Sequence, residues 1–112
     1  MASATELPLH ERGKISESLQ TLAEYLELSL DRVESVVMIR HTSDVCTVYL
    51  GDPTAPLEDL KKRGTISAAC ANEMLELTRS GINEMEIGDQ AYRFVRTFAQ
   101  IGDNAAIVFS GA

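Results

Sequence analysis

GINEMEIGDQAYRFVRTFAQIGDNAAIVFSGA, residues 81–112, is the stretch of sequence that decides the fold. Its apolar segments, residues 83–87, 91–100 and 105–110, are separated by Gly88-Asp89 and by Gly102-Asp103-Asn104. Glycine and asparagine tolerate the positive φ that tight turns require. The stretch therefore predicts three strands joined into two antiparallel hairpins. Alternation along the middle strand puts its aromatic residues Tyr92, Phe94 and Phe98 on one face, which we expect to point toward the helices.

A helix with two apolar faces is predicted immediately before these strands, over residues 66–80. Thr65 is a candidate N-cap for this helix, and Gly81 lies where a left-handed residue would close it. One apolar stripe runs through Ile66, Ala69, Cys70, Met74 and Leu77. A second face carries Ala68, Ala71 and Leu75. A surface helix needs only one such face, so the second one indicates close packing against another helix.

The first half of the chain predicts a helix followed by a hairpin. Apolar residues recur at steps of three and four from Ile15 to Val33, which is the spacing of an amphipathic helix. Because β-branched residues follow, we expect the helix to end near Leu28 and a strand to span residues 34–41. A second strand over 45–50 leads to a loop with two prolines, and residues 57–63 predict a short helical turn that Gly64 interrupts.

The predicted order is therefore α-β-β-α-β-β-β. This order indicates an α+β fold, with a five-stranded antiparallel sheet against which the helices pack. We expect residues 1–13 to form a mobile N-terminal tail and residues 14–112 to form a single domain.

Composition and charge narrow the functional classes. The 112 residues carry a net charge of -7, and no apolar run is long enough to span a membrane. The first residues do not resemble a secretory signal, so a cytoplasmic location is expected, without a membrane partner. An acidic chain repels phosphate backbones, so nucleic acid is not expected as a partner either.

Few residues suggest chemistry. His41 and Cys46 lie at the two ends of the first hairpin and could in principle face each other as base and nucleophile. A histidine beside a turn and a buried cysteine are the more ordinary interpretation. The histidines and cysteines lack metal-ligand spacing. Glu84 and Glu86 share one face of a strand, as acid-base pairs sometimes do, yet charges that protect an edge strand explain them better. We therefore expect no enzyme activity, no catalytic residue, no cofactor and no metal.

Lys61, Lys62 and Arg63 form the one basic cluster of the sequence. Three charges at the start of a helix are usually a solvated surface. If the cluster has a function, it contacts an acidic patch on a partner protein.

The element order and several segments resemble the Roadblock (dynein light chain) family, in its bacterial form. The resemblance rests on VESVVMI at 33–39, INEMEIG at 82–88, YRFV at 92–95 and IGDNAAIV at 101–108. It implies a Roadblock/profilin-like fold and a non-enzymatic homodimer that acts as a scaffold or regulator of a small Ras-like GTPase. In such a dimer the second helices pack together and the third strands join the two sheets into one. Carried onto this chain, the dimer interface comprises Ala68, Ala71, Leu75, Asn83, Met85 and Ile87.

Two other functions stay open. A type III secretion chaperone that binds an effector protein is also small, acidic and dimeric. Such chaperones usually have three strands between their helices and a helix as the last element, where this sequence predicts two strands and a final strand. A small-ligand sensor of profilin-like or PAS-like fold would need polar residues that point into the core, for which Arg96 is the main candidate.

Overall fold

The computed structural model describes residues 17–32 and 34–111. The predicted tail, residues 1–13, lies outside the described residues, as do Ile15 and Val33 at the ends of the first apolar stripe. The described residues form an α+β fold of two helices and one sheet. The helices are α1, Glu17–Arg32, and α2, Ala68–Leu77. The strands are β1 Ser35–Arg40, β2 Val45–Gly51, β3 Lys61–Ser67, β4 Gly81–Ile87, β5 Gln90–Ile101 and β6 Asn104–Gly111.

The sheet has six strands in the order β3-β2-β1-β6-β5-β4, and every neighbouring pair is antiparallel. The prediction of five strands was wrong because residues 61–67 form β3 along β2. The predicted helical turn is reduced to the short 3-10 helix Leu57–Asp59. Three consecutive charged residues at the start of β3 interrupt the apolar pattern by which a strand is recognised in the sequence. In the structure, Ile66 is half-buried and packs against the core, which connects β3 to the rest of the fold.

Helix α1 is longer than predicted. It continues past Leu28 to Arg32. Leu22 and Leu26 on its inner face are almost completely buried. Ser29 is buried one turn later, and its hydroxyl donates a hydrogen bond of 2.8 Å to the carbonyl oxygen of Leu26. This internal bond satisfies the buried hydroxyl, so the polar residue does not end the helix.

Helix α2 is shorter than predicted at both ends. Ser67 is its N-cap, and the Ser67 hydroxyl accepts a hydrogen bond of 3.0 Å from the Cys70 amide, so the assignment of Thr65 as the cap was wrong. The helix ends at Leu77, and Thr78 is the C-cap. Gly81 does have a positive φ of 90°, but it begins β4 and does not cap the helix.

Apolar side chains fill both faces of the central strands. The helix-bearing face carries the larger cluster, and the opposite face carries a smaller one. The first cluster includes Leu22, Leu26, Val36, Met38, Val48, Leu50, Met74, Tyr92, Phe94 and Phe109; the second includes Val37, Ile39, Leu60, Ile101, Ala106 and Val108. Alternate residues of β1 thus belong to different clusters, so apolar side chains cover this strand on both faces.

The C-terminal meander has the predicted form. Gly88 and Gly102 have φ values of 62° and 61°, which fits the two tight turns. Tyr92 and Phe94 are buried on the helix-bearing face as predicted, whereas Phe98 lies beside α2 on the same face and is 61% exposed.

Candidate protein-binding surfaces

The two edge strands of the sheet, β3 and β4, are the surfaces that an added chain can reach. An edge strand presents unpaired N–H and C=O groups along one side, so it is a template for pairing with another strand. The two edges differ in charge: β3 contains Lys61, Lys62 and Arg63, and β4 contains Glu84 and Glu86.

Edge strand β4 carries half of the predicted dimer interface. Asn83 is 9% exposed, and its side chain is occupied by the turn that follows α2. Asn83 Oδ1 accepts a hydrogen bond of 3.0 Å from the Arg79 amide, and Nδ2 donates to the carbonyl oxygens of Arg79 and Gly81. Met85 and Ile87 lie half-buried on the helix-bearing face and pack against the core. These three side chains therefore support the strand, while its outer backbone edge stays available.

The opposite face of β4 is exposed. Ile82 is 48% exposed on this face, and Glu84 and Glu86 follow it at every second position of the strand. The Arg93 guanidinium of β5 lies 3.8 Å from the Glu84 carboxylate. Since both side chains are largely exposed, this ion pair contributes little to stability. The face combines one apolar side chain with a mainly acidic surface.

Helix α2 places its predicted dimer residues toward its own sheet. Ala68 and Ala71 are 7% and 3% exposed, and Leu75 is half-buried. Of the stripe predicted to face the core, Ala69 is exposed and Leu77 is 51% exposed. The small-residue face of α2 is therefore its inner face. A helix-to-helix contact with another copy would have to use other residues of α2.

Edge strand β3 presents its basic cluster along a strand, where the sequence indicated the start of a helix. Lys61, Lys62 and Arg63 are all exposed. Lys61 is opposite Leu50 and Lys62 is opposite Tyr49, which belong to different faces of the sheet. A bulge at Val48/Tyr49 shifts the register beside Arg63. Positive charge therefore lies beside this edge on both faces of the sheet.

Arg96 is a buried arginine that binds the end of α2. It is 9% exposed, and its Nη1 donates hydrogen bonds of 2.9 Å and 3.0 Å to the carbonyl oxygens of Leu75 and Thr78. A cation at the carbonyl end of a helix also complements the helix dipole. Phe98 lies against the guanidinium, whose carbon is 5.5 Å from the ring centre. The Arg96 side chain points into the fold, as a ligand sensor would need. Its hydrogen bonds, however, are made to the end of α2, so Arg96 acts as a clamp that holds this helix end against β5.

The residues weighed for nucleophilic chemistry point to different faces of the sheet. His41 Nε2 lies 3.0 Å from the Tyr49 hydroxyl, and Tyr49 packs on the face opposite the helices. Cys46 is a free, buried cysteine opposite Arg40, and burial raises the pKa of its thiol. Burial, followed by Glu73, also raises the pKa of Cys70. Both thiols are therefore held in the protonated, weakly nucleophilic form.

A groove between α2 and the sheet has a volume of about 200 Å³ and is lined chiefly by apolar side chains, including Met38, Leu75, Phe98 and Ile107. This volume is below the roughly 300 Å³ at which ligand pockets usually begin. Within residues 17–32 and 34–111, no group of three potential ligands is arranged to hold a metal ion. Neither α1 nor α2 has the length and apolar character needed to cross a membrane.

Comparison of the chain with models of known protein families, with curated proteins and with solved structures gave no match.

Proposed function

We propose that this chain is a non-enzymatic homodimeric scaffold or regulator that binds a partner protein, with a small Ras-like GTPase as the partner class that the Roadblock resemblance implies. The proposal of a dimer depends chiefly on the exposed edge strand β4. It ends the sheet, and Ile82 is exposed beside its unpaired backbone edge. Pairing two copies of β4 would bury this edge and join two six-stranded sheets into one.

The symmetry of such a pair fixes which side chains meet. A two-fold axis perpendicular to the sheet keeps the helices of both copies on one face. Antiparallel partners then come from the same face of β4, so Ile82, Glu84 and Glu86 of one copy lie opposite the same three residues of the other. The apolar side chains favour this contact, whereas the carboxylates repel each other. The dimer is therefore expected to be sensitive to salt.

A type III secretion chaperone is the second candidate, and one observation favours it. On the sequence this candidate ranked second because two strands were predicted between the helices and because the last predicted element is a strand, where such chaperones usually have a helix. Three strands, β1, β2 and β3, lie between the helices, but β6 is the last of the described elements, so the second difference remains. The ligand sensor is the third candidate, for which the groove between α2 and the sheet is the site to examine.

A binding experiment distinguishes these candidates. The tagged full chain is immobilised and exposed to its native lysate, once with added GDP and once with a non-hydrolysable GTP analogue, and retained proteins are identified by mass spectrometry. Retention of a small GTPase that depends on the nucleotide supports the proposal. Retention of an exported effector supports the chaperone, and a monomer that carries a small molecule supports the sensor. Turnover of GTP or ATP by the isolated chain would contradict a non-enzymatic role.

A further inference from the structure

We propose that edge strand β3 is a docking site for an extended acidic segment of the partner protein, which adds to the sheet beside Lys61, Lys62 and Arg63. The proposal deepens the proposed function and depends on it for the existence of a protein partner. It assigns that partner to the edge opposite β4, so dimerisation and partner binding use different ends of the sheet.

The exposure of β3 makes it accessible over its whole length. Five of its seven residues are exposed, and Gly64 and Ile66 are partly exposed. Strand β2 covers one side of β3, and the sheet order places no strand on the other side among the described residues. Addition of a strand to such an edge supplies main-chain hydrogen bonds that do not depend on sequence. Specificity then has to come from side chains beside the edge.

The charge of β3 selects an acidic segment. Three of the ten basic residues in a chain of net charge -7 are consecutive here. Within the part of the chain that the structure describes, none of the three forms an ion pair. Lys61 and Lys62 extend from opposite faces of the sheet, since their partners Leu50 and Tyr49 belong to different apolar clusters. An added strand with carboxylates on both faces would therefore meet a cation on each side.

Protection of the edge against self-association is the competing explanation for these charges. Lysines and bulges are common means of blocking an edge strand. Here, however, copies of the chain are acidic, and their other edge carries Glu84 and Glu86. Basic residues at β3 repel the β3 edge of a second copy but attract its acidic surfaces and its β4 edge, so they protect this edge only in part. The bulge also lies beside Arg63 and leaves the following residues to Ser67 regularly paired with β2.

Contacts at both ends hold β3 ready for docking. Leu60, directly before the strand, is buried against Gly51. At the other end, the Ala68 amide donates a hydrogen bond of 2.8 Å to the Asp44 carbonyl oxygen, and Ser67 caps α2. A strand fixed in this way loses little further conformational freedom when a segment binds, which favours binding.

The test is a nuclear magnetic resonance titration of the full chain with a capped heptapeptide of valine and glutamate whose three central residues are consecutive glutamates, so that the extended peptide carries carboxylates on both faces. We expect shift changes centred on β3, together with slowed solvent exchange of its outward amide protons. Two control peptides isolate the causes: one has lysine in place of glutamate, and the other has methylated backbone nitrogens on its pairing side. Neither control should bind. Light scattering of the same samples records whether the chain is a dimer.

Variants then assign the site. Lys61→Glu with Lys62→Glu should weaken peptide binding about tenfold or more. Arg93→Glu, an exposed charge reversal on β5, should change binding less than about twofold. Shifts centred on β4, or no shifts at millimolar peptide, would overturn the docking site while leaving a dimer intact. Peptide binding to β3 of a monomeric chain would retain the docking site and reject the dimer. Protection of β3 amides without peptide would show that a second copy occupies the edge, and would also overturn the proposal.

Discussion

The hydroxyl oxygen of Tyr25 in α1 lies so close to the backbone of Gly64 in β3 that a Cβ on Gly64 would stand 2.6 Å from it. The contact explains why glycine occupies a strand in which it has no special backbone conformation. It also connects the first helix to β3, an edge strand of the sheet. Burial raises the pKa of Tyr25, with Glu24 adding to the effect, while nearby Arg63 lowers it.

Gly64→Ala should destabilise the fold by about 1 to 3 kcal/mol because the added methyl group displaces the Tyr25 ring. Urea denaturation measures this change in the free energy of unfolding. Tyr25→Phe removes the offending oxygen, so the same glycine substitution in the Phe background should cost about half as much or less. An unchanged cost in both backgrounds would mean that the Tyr25 contact does not limit the size of residue 64.

Arg96→Met should destabilise the chain by about 2 kcal/mol because the carbonyl oxygens of Leu75 and Thr78 lose their buried donor. Arg96→Lys should recover part of the loss, since an ammonium group can reach one carbonyl oxygen. Arg93→Met, at an exposed position on the same strand, should stay within about 0.5 kcal/mol of the parent chain. Equal effects of the Arg96 and Arg93 substitutions, measured by urea denaturation, would contradict the role of Arg96 as a helix clamp.

The stability of the chain should fall as the pH rises above about 9. Burial raises the pKa of the Cys46 thiol above its ordinary value of 9.0. The unfolded chain therefore releases this proton at a lower pH than the folded chain does, which favours unfolding as the pH increases through that range. Tyr25 and Tyr92 act in the same direction, since burial raises the pKa of both.

Cys46→Ala isolates the thiol contribution. Urea denaturation between about pH 8 and about pH 10.5 should show a shallower loss of stability for this variant than for the parent chain. The slope is the informative quantity, because the smaller side chain lowers stability at every pH. Parallel curves for the two proteins would show that the Cys46 proton is not linked to folding.

The proposed dimer should tighten with added salt. Glu84 and Glu86 of two copies face each other when β4 pairs with β4, so screening reduces their repulsion. We expect the dissociation constant to decrease about twofold to tenfold between about 0.05 M and about 0.5 M NaCl. Glu86→Gln should tighten the dimer at low salt and reduce its salt dependence. Sedimentation equilibrium measures both effects, and a dimer that weakens with salt would exclude this pairing.

The sequence predicted five of the six strands because their signals are local. Turns at Gly88 and Gly102 and the apolar run of β1 identify strands without any knowledge of their neighbours. Strand β3 has no such signal, since its residues KKRGTIS do not alternate between apolar and polar. Pairing with β2 and the burial of Leu60 create this strand, and both depend on tertiary contacts.

The candidate surfaces were predicted less well than the strands. Edge strand β4 and its paired carboxylates followed from the sequence, but the inner and outer faces of α2 did not. The periodicity of the sequence predicted two apolar faces for this helix. The residue types on the two faces did not show which face packs against the sheet. Phe98 shows a related limit: alternation assigns it to the helix-bearing face correctly, but its 61% exposure depends on tertiary contacts that alternation does not specify.

Light scattering at low micromolar concentration tests the central claim, a homodimer built on β4. The parent chain should have twice the 12.2 kDa chain mass. Ile82→Glu adds a third carboxylate to the pairing face and should give a single-chain mass. Val45→Glu is the matched control, because Val45 is 37% exposed on β2, away from β4, and this variant should remain dimeric. A parent chain with a single-chain mass, or an Ile82→Glu variant that stays dimeric, would contradict the account.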